Sequence, residues 1–168
     1  SSHFLGVDEG SLALSIVLHF GTLIGTLLVF RSDVQMLLVA ALKALRHPST
    51  LRTTESGRLV AAIVVGSVPT ALIGLALKDS MDALDSTLWV IGTCFIITSM
   101  LLFATRRFAR RDQSKLRDEL TLGGAFLLGV AQGIAVFPGI SRSGMTIVTA
   151  LALGLSGAAA FRMSFLFS

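Results

Sequence analysis

Charge is what this sequence has least of. Only 14% of its 168 residues are Asp, Glu, Lys or Arg, against 53% hydrophobic, and the mean hydropathy is +0.81. A soluble domain usually carries about a quarter charged residues. So few charges cannot cover a globule of this size, which places the chain in the membrane class. Cysteine is nearly absent too. Cys94 stands alone inside an apolar run, which excludes an intrachain disulfide and a cysteine metal cluster and leaves a small buried apolar side chain. An initiator Met, a signal peptide with a basic start and a tail are also missing. The chain therefore reads as one membrane domain over 1–168, incomplete at both ends. Nucleic-acid binding is not expected despite a sequence pI of about 10.2, because the net charge is only +4 and the basic residues lie between apolar runs.

What is present is apolar length. The runs 11–30, 59–77 and 88–105 carry no charge, and each has the roughly 20 residues that cross a ~30 Å hydrocarbon core. Pro69 should kink the second run. Gly21 and Gly25 form a GxxxG pair, as do Gly129 and Gly133; such pairs permit close helix packing. Between the runs the charge alternates. Residues 1–10 hold Asp8 and Glu9 without a Lys or Arg, and 31–58 holds Arg31, Lys43, Arg46, Arg52 and Arg58. Residues 78–87 set Lys78 against Asp79, Asp82 and Asp85, and 106–120 holds Arg106, Arg107, Arg110, Arg111, Lys115 and Arg117. The positive-inside rule puts 31–58 and 106–120 in the cytoplasm and the other two connections outside. Residues 34–45 are too short to span and predict a helix at the cytoplasmic surface.

Beyond Leu120 the pattern changes. An apolar, glycine-rich stretch over 121–137 is interrupted by Pro138-Gly139, and 145–155 is apolar but short. This predicts a re-entrant helix–loop–helix over 121–155, followed by the start of another helix over 158–168. Irregular backbone at membrane depth survives only when buried in protein or lining a wet cavity. The break reads Pro138-Gly139-Ile140-Ser141-Arg142-Ser143-Gly144-Met145-Thr146, and Arg142 is the only charge between Glu119 and Arg162. A charge inside the bilayer costs at least ~2.5–3.5 kcal/mol, so it marks function by default. Gly139 and Gly144 allow unusual backbone angles and close ligand approach. Ser141 or Ser143 can cap a helix starting near Gly144, whose N-terminal N–H groups suit phosphate. Guanidinium adds a planar, permanently charged fork for phosphate oxygens. The bland alternative is a serine-capped broken helix with Arg142 reaching the headgroups or a carboxylate.

The string PGISRSGMT, with Gln132-Gly133 before it and Ala158-Ala159-Ala160 and Ser164-Phe165-Leu166 after it, resembles the bacterial undecaprenyl-diphosphate phosphatases. His3-Phe4-Leu5-Gly6 and Leu18-His19-Phe20-Gly21-Thr22-Leu23 also match stretches common in that family, so the resemblance spans the chain. It implies an all-α polytopic transmembrane bundle, half of an inverted-repeat architecture, in the bacterial inner membrane with its site facing outward. It implies dephosphorylation of undecaprenyl diphosphate, which recycles the lipid carrier of the cell wall. Carried over, Arg142 grips the diphosphate while Ser141 and Ser143 bond its oxygens. Pro138, Gly139 and Gly144 shape the loop, Thr146 is a lesser polar contact and Gln132 a donor behind it. A divalent cation, Mg²⁺ or Ca²⁺, is implied, with ligands outside this chain. The partners are a polyprenyl diphosphate lipid and the bilayer, with a homodimer left open.

Two departures bear on mechanism. The family's Ser-Ser-x-Gly-His stretch supplies the histidine proposed as catalytic. Ser1-Ser2-His3 lacks the two intervening residues, whereas His3-Phe4-Leu5-Gly6 fits the His-x-Leu-Gly that follows that stretch. The second alignment is favoured. It puts the histidine and the metal-linked glutamates before Ser1, so this chain alone is expected to be inactive. Ser15 stands where many members carry an acid, and His19 has no assigned role. The competing function is a transporter or flippase for a phosphate-bearing lipid, since a broken helix around an anion also suits alternating access.

Overall fold

A computed structural model of the chain describes residues 8–84, 88–109 and 116–167. His3 and its neighbours, Arg110, Arg111, Lys115 and Asp85 lie outside the described residues. Within them the fold is all-α, with helices α1 Asp8–Val29, α2 Arg31–Arg46, α3 Thr50–Thr53, α4 Glu55–Leu84, α5 Leu88–Ala109, α6 Leu122–Ile134, α7 Arg142–Ala152 and α8 Gly157–Phe167. The chain divides into two compact units, Ser1–Gly57 and Arg58–Ser168.

In the first unit α1 and α2 meet at Phe30, where the axis turns by 78°. The backbone carries through the bend, because Phe30 N–H bonds to Thr26 O and Val34 N–H to Phe30 O, both at 2.9 Å. The helix expected over 34–45 is present and begins at Arg31. Asp33 lies in its first turn and Lys43 and Arg46 in its last, the charge order that a helix dipole favours. Side chains along α1, among them Leu14, Leu18, Phe20, Leu23 and Leu28, are exposed.

Two helices are long and apolar enough to cross a membrane, over Glu55–Lys78 and Leu88–Phe108. Among the described residues the first apolar run joins them only as the bent pair Ile16–Val29 with Arg31–Arg46. Pro69 lies inside α4 without ending it. Thr70, beside it, directs its hydroxyl between Gly66 O at 2.9 Å and Gly129 O at 2.8 Å, a link from α4 to α6. There the backbones touch: a Cβ on Gly129 would overlap the Gly66 carbonyl, and one on Gly133 would meet Ile73 at 2.8 Å.

Past that crossing come three short helices. At 13 and 11 residues, α6 and α7 measure about 20 Å and 17 Å at 1.5 Å per residue, short of a span. Serine and threonine start them. Thr121 Oγ1 accepts from Gly124 N–H and Ser141 Oγ from Gly144 N–H, both at 3.1 Å, and Ser156 Oγ accepts from Ala159 N–H at 3.2 Å. A left-handed Gly154, φ +88°, ends α7. Leu155 N–H bonds back to Ala150 O at 3.1 Å and Gly154 N–H to Leu151 O at 3.0 Å, the double closure of a Schellman cap. Leu128, Ala150, Leu155, Ala159, Ala160 and Met163 form the buried core where α6, α7 and α8 meet. Residues 117–119 fasten the far side. Arg117 exchanges backbone bonds of 2.9 Å with Gly154 and Ser156, and Arg58 pairs with Glu119 at 2.8 Å.

Candidate phosphate-binding loop

The break between α6 and α7 is a turn. Ile140 N–H bonds to Phe137 O at 3.1 Å, with Pro138 second and Gly139 third, and Gly139 has φ +87°. That is the type II signature, in which proline pre-sets its own φ and glycine takes the left-handed position. Gly139 is also pressed on α5, where an added Cβ would meet Ile91 O at 2.7 Å and Cys94 Cβ at 3.0 Å. Gly139 thus takes the unusual backbone angle expected of it and also lets the loop pack closely on α5. Gly144 needs no unusual angle. It lies in the first turn of α7, buried, where a Cβ would meet Ser141 Cβ and Oγ at 3.1 Å and Leu102 at 3.4 Å. Its missing side chain makes room for the cap.

Of the two cap candidates, the structure selects Ser141. Its hydroxyl lies 3.4 Å from Ser143 Oγ, so the two serines point to one region. Arg142 and Ser143 are exposed in the first turn. Among the described residues the Arg142 guanidinium has no hydrogen-bond or ion-pair partner. The N–H groups of Arg142 and Ser143 are likewise unpaired there, as the first turn of a helix dictates. The other nearby N–H groups are used: Ser141 N–H by Thr98 Oγ1 at 3.1 Å, Gly144 N–H by the cap, and Met145 N–H by Ser141 O at 2.9 Å.

Two expected contacts lie elsewhere. Thr146 is 1% exposed, and its hydroxyl is engaged by Ser164 Oγ at 2.7 Å, Ser143 O at 3.0 Å and Arg142 O at 3.1 Å. It therefore fastens α7 to α8 instead of reaching outward to a ligand. Gln132, 5% exposed, gives Nε2 to Phe167 O at 2.6 Å; its amide faces α8. Thr98 and Ser164 are contacts that sequence reasoning did not assign to the site. Thr98 had no distinguishing signal, and Ser164 appeared only among the resembling residues.

The loop offers cationic and neutral donors with two hydroxyls, a set suited to an oxyanion. Its residues 138–146 include no Asp or Glu. Among the described residues no group of His, Cys, Asp and Glu could hold a metal ion, and hard divalent cations take carboxylate and carbonyl oxygens.

Fold and loop together define a polytopic all-α membrane protein whose α6 and α7 are separated by a break at Pro138-Gly139. The chain belongs to the family of the bacitracin resistance protein BacA, whose model matches residues 1–168. It is 42% identical to an undecaprenyl-diphosphatase of Desulfosudis oleivorans, across 98% of this chain and 61% of that protein. A second, of Desulforapulum autotrophicum, is 37% identical over 99% and 62%. An undecaprenyl-diphosphatase 1 of Pseudoalteromonas translucida is 35% identical over 98% and 60%. The chain thus spans about three fifths of the length of these relatives.

Proposed function

We propose that the full-length protein hydrolyses undecaprenyl diphosphate to undecaprenyl phosphate and inorganic phosphate, and that the Pro138–Thr146 break holds the diphosphate. One observation carries the assignment: exposed Arg142, whose guanidinium has no partner among the described residues, and Ser143 open the first turn of α7, where the Ser141 and Ser143 hydroxyls lie 3.4 Å apart. In the net reaction a water oxygen becomes bonded to the terminal phosphorus, a water proton is released, and the bridging P–O bond breaks. Charge shifts toward the bridging and terminal oxygens as it does so, and fixed donors around them lower the barrier. Ser141 and Ser143 orient those oxygens. The Mg²⁺ or Ca²⁺ expected of this chemistry does not fit the donors around the break, so its ligands belong elsewhere in the protein.

The same reading places the protein in the cytoplasmic membrane with the loop open to the outer face. The basic connections 31–58 and 106–120 lie inside, and 78–87 outside. In that orientation α5 starts at the outer surface. Gly139 packs at Ile91 and Cys94, about 5–9 Å below Leu88 at 1.5 Å per residue, hence in the outer half of the span. A cysteine introduced at position 82, on a Cys94→Ala background, should react with an impermeant thiol reagent in intact cells, and one at 112 should not. The reverse pattern rejects the orientation.

Arg142 tests the function. Arg142→Ala in the full-length protein should cost on the order of 2–4 kcal/mol, roughly 30- to 1,000-fold in turnover. Arg142→Lys keeps the charge without the fork and should recover only part. Phosphate release from the diphosphate lipid is measured beside the yield of folded protein. Near-normal turnover in folded Arg142→Ala rejects the site, and a lipid carrier would release no phosphate at all.

A further inference from the structure

Thr98 carries an arrangement that the proposed chemistry does not yet use. It lies in the middle of α5, 9% exposed, and spans the break with a single hydroxyl. Its Oγ1 donates to Gly139 O and accepts from Ser141 N–H, each at 3.1 Å. The peptides on both sides of Ile140 are thereby held to one atom of another helix. Threonines in apolar helices ordinarily return the hydroxyl to their own backbone. Thr93 does so to Trp89 O at 2.8 Å and Thr105 to Leu102 O at 2.6 Å. Thr98 is turned outward instead. Ile91, Cys94, Thr98 and Leu102 make the stripe of α5 on which Gly139, Ser141 and Gly144 rest.

We infer that Thr98 is a positioning residue for the diphosphate site: its hydroxyl fixes the Gly139 and Ser141 peptides and thereby aims the Ser141 cap, the Arg142 guanidinium and the free N–H groups of the first turn. It also withdraws the Ser141 N–H from the ligand, so that the anion meets only the N–H groups of Arg142 and Ser143. The inference rests on the phosphatase reading and acts through the same loop. Without the hydroxyl, both part-buried peptide groups lose a partner, and the loop can settle in other positions. A displacement of about 1 Å is worth on the order of 100-fold in rate.

The test uses the full-length protein with undecaprenyl diphosphate. Thr98→Val keeps the shape and removes the hydroxyl, and should lower kcat per folded molecule roughly 10- to 100-fold with a smaller change in KM. Thr98→Ser restores the hydroxyl and should return kcat to within about threefold. A role confined to stability would lower yield and melting temperature while leaving kcat per folded molecule intact. Should Thr98→Val not accumulate, Thr98→Ala removes the same hydroxyl with less bulk. Arg142→Ala is run alongside. If it is inactive while folded Thr98→Val turns over normally, the positioning role is overturned and the site stands. If both turn over normally, the site itself is overturned, and the positioning role with it.

Discussion

Two glycine pairs with the same spacing meet different fates in this chain. Gly129 and Gly133 on α6 are filled spaces: the Gly66 carbonyl occupies the place of one side chain, and Ile73 crowds that of the other. Gly21 and Gly25 on α1 have nothing within 4 Å of where a Cβ would stand. Neither spacing nor apolar surroundings separate them. A GxxxG pair permits two backbones to meet, but contact also needs a facing helix that is itself smooth and can return a polar bond. α4 presents Gly66 at the crossing and Thr70 one turn on, whose hydroxyl reaches the Gly129 carbonyl. Around Gly21 and Gly25, Thr22 and Thr26 bond back to their own helix at 2.9 and 2.8 Å.

The largest effect that would test this contrast is at Gly129. Gly129→Val places side-chain carbon where the Gly66 carbonyl lies, and backbone cannot rotate away as a flexible side chain can. A loss of about 3 kcal/mol or more is expected, seen as a collapse of monodisperse yield and melting temperature in detergent. A variant that melts like the wild type would break the α4–α6 contact.

Next comes the polar fastening between α7 and α8. Thr146→Val leaves the Ser164 hydroxyl, 2% exposed, short of its 2.7 Å partner, and should cost about 1–3 kcal/mol. In a double-mutant cycle with Ser164→Ala, strictly additive losses would show that the two hydroxyls do not interact. The smallest effect sharpens the other side of the comparison. Gly21→Ala and Gly25→Ala should each be neutral or raise stability by roughly 0.5–1 kcal/mol, the helix cost of glycine. A clear loss of melting temperature in either would mean that α1 has a tight partner, and the contrast with α6 would disappear.

Much of the architecture is legible in the sequence. Charge scarcity and apolar length announce membrane helices because the bilayer rewards both directly. Pro138-Gly139 announces the turn, since φ is restricted in one residue and permitted to be positive in the next. The Arg142 and serine cluster is legible for a similar reason: a lone charge in an apolar stretch has few bland explanations. These are properties of residues and near neighbours along the chain.

What the residues could not disclose is which of several like groups meets which surface. Thr93, Thr98 and Thr105 share one apolar helix, yet only Thr98 bonds the break: the helical period turns Thr93 away from the Ile91, Cys94 and Leu102 stripe, and Thr105, on the same face as Thr98, lies about 10 Å further along at 1.5 Å per residue. Thr146 has the composition of a ligand contact and the position of a core fastener, for α8 returns over it with Ser164. Local sequence determined the helices, the break and the chemical character of the loop. The direction of each hydroxyl was decided by tertiary packing, since a hydroxyl bonds whichever partner the neighbouring helix brings within about 3 Å.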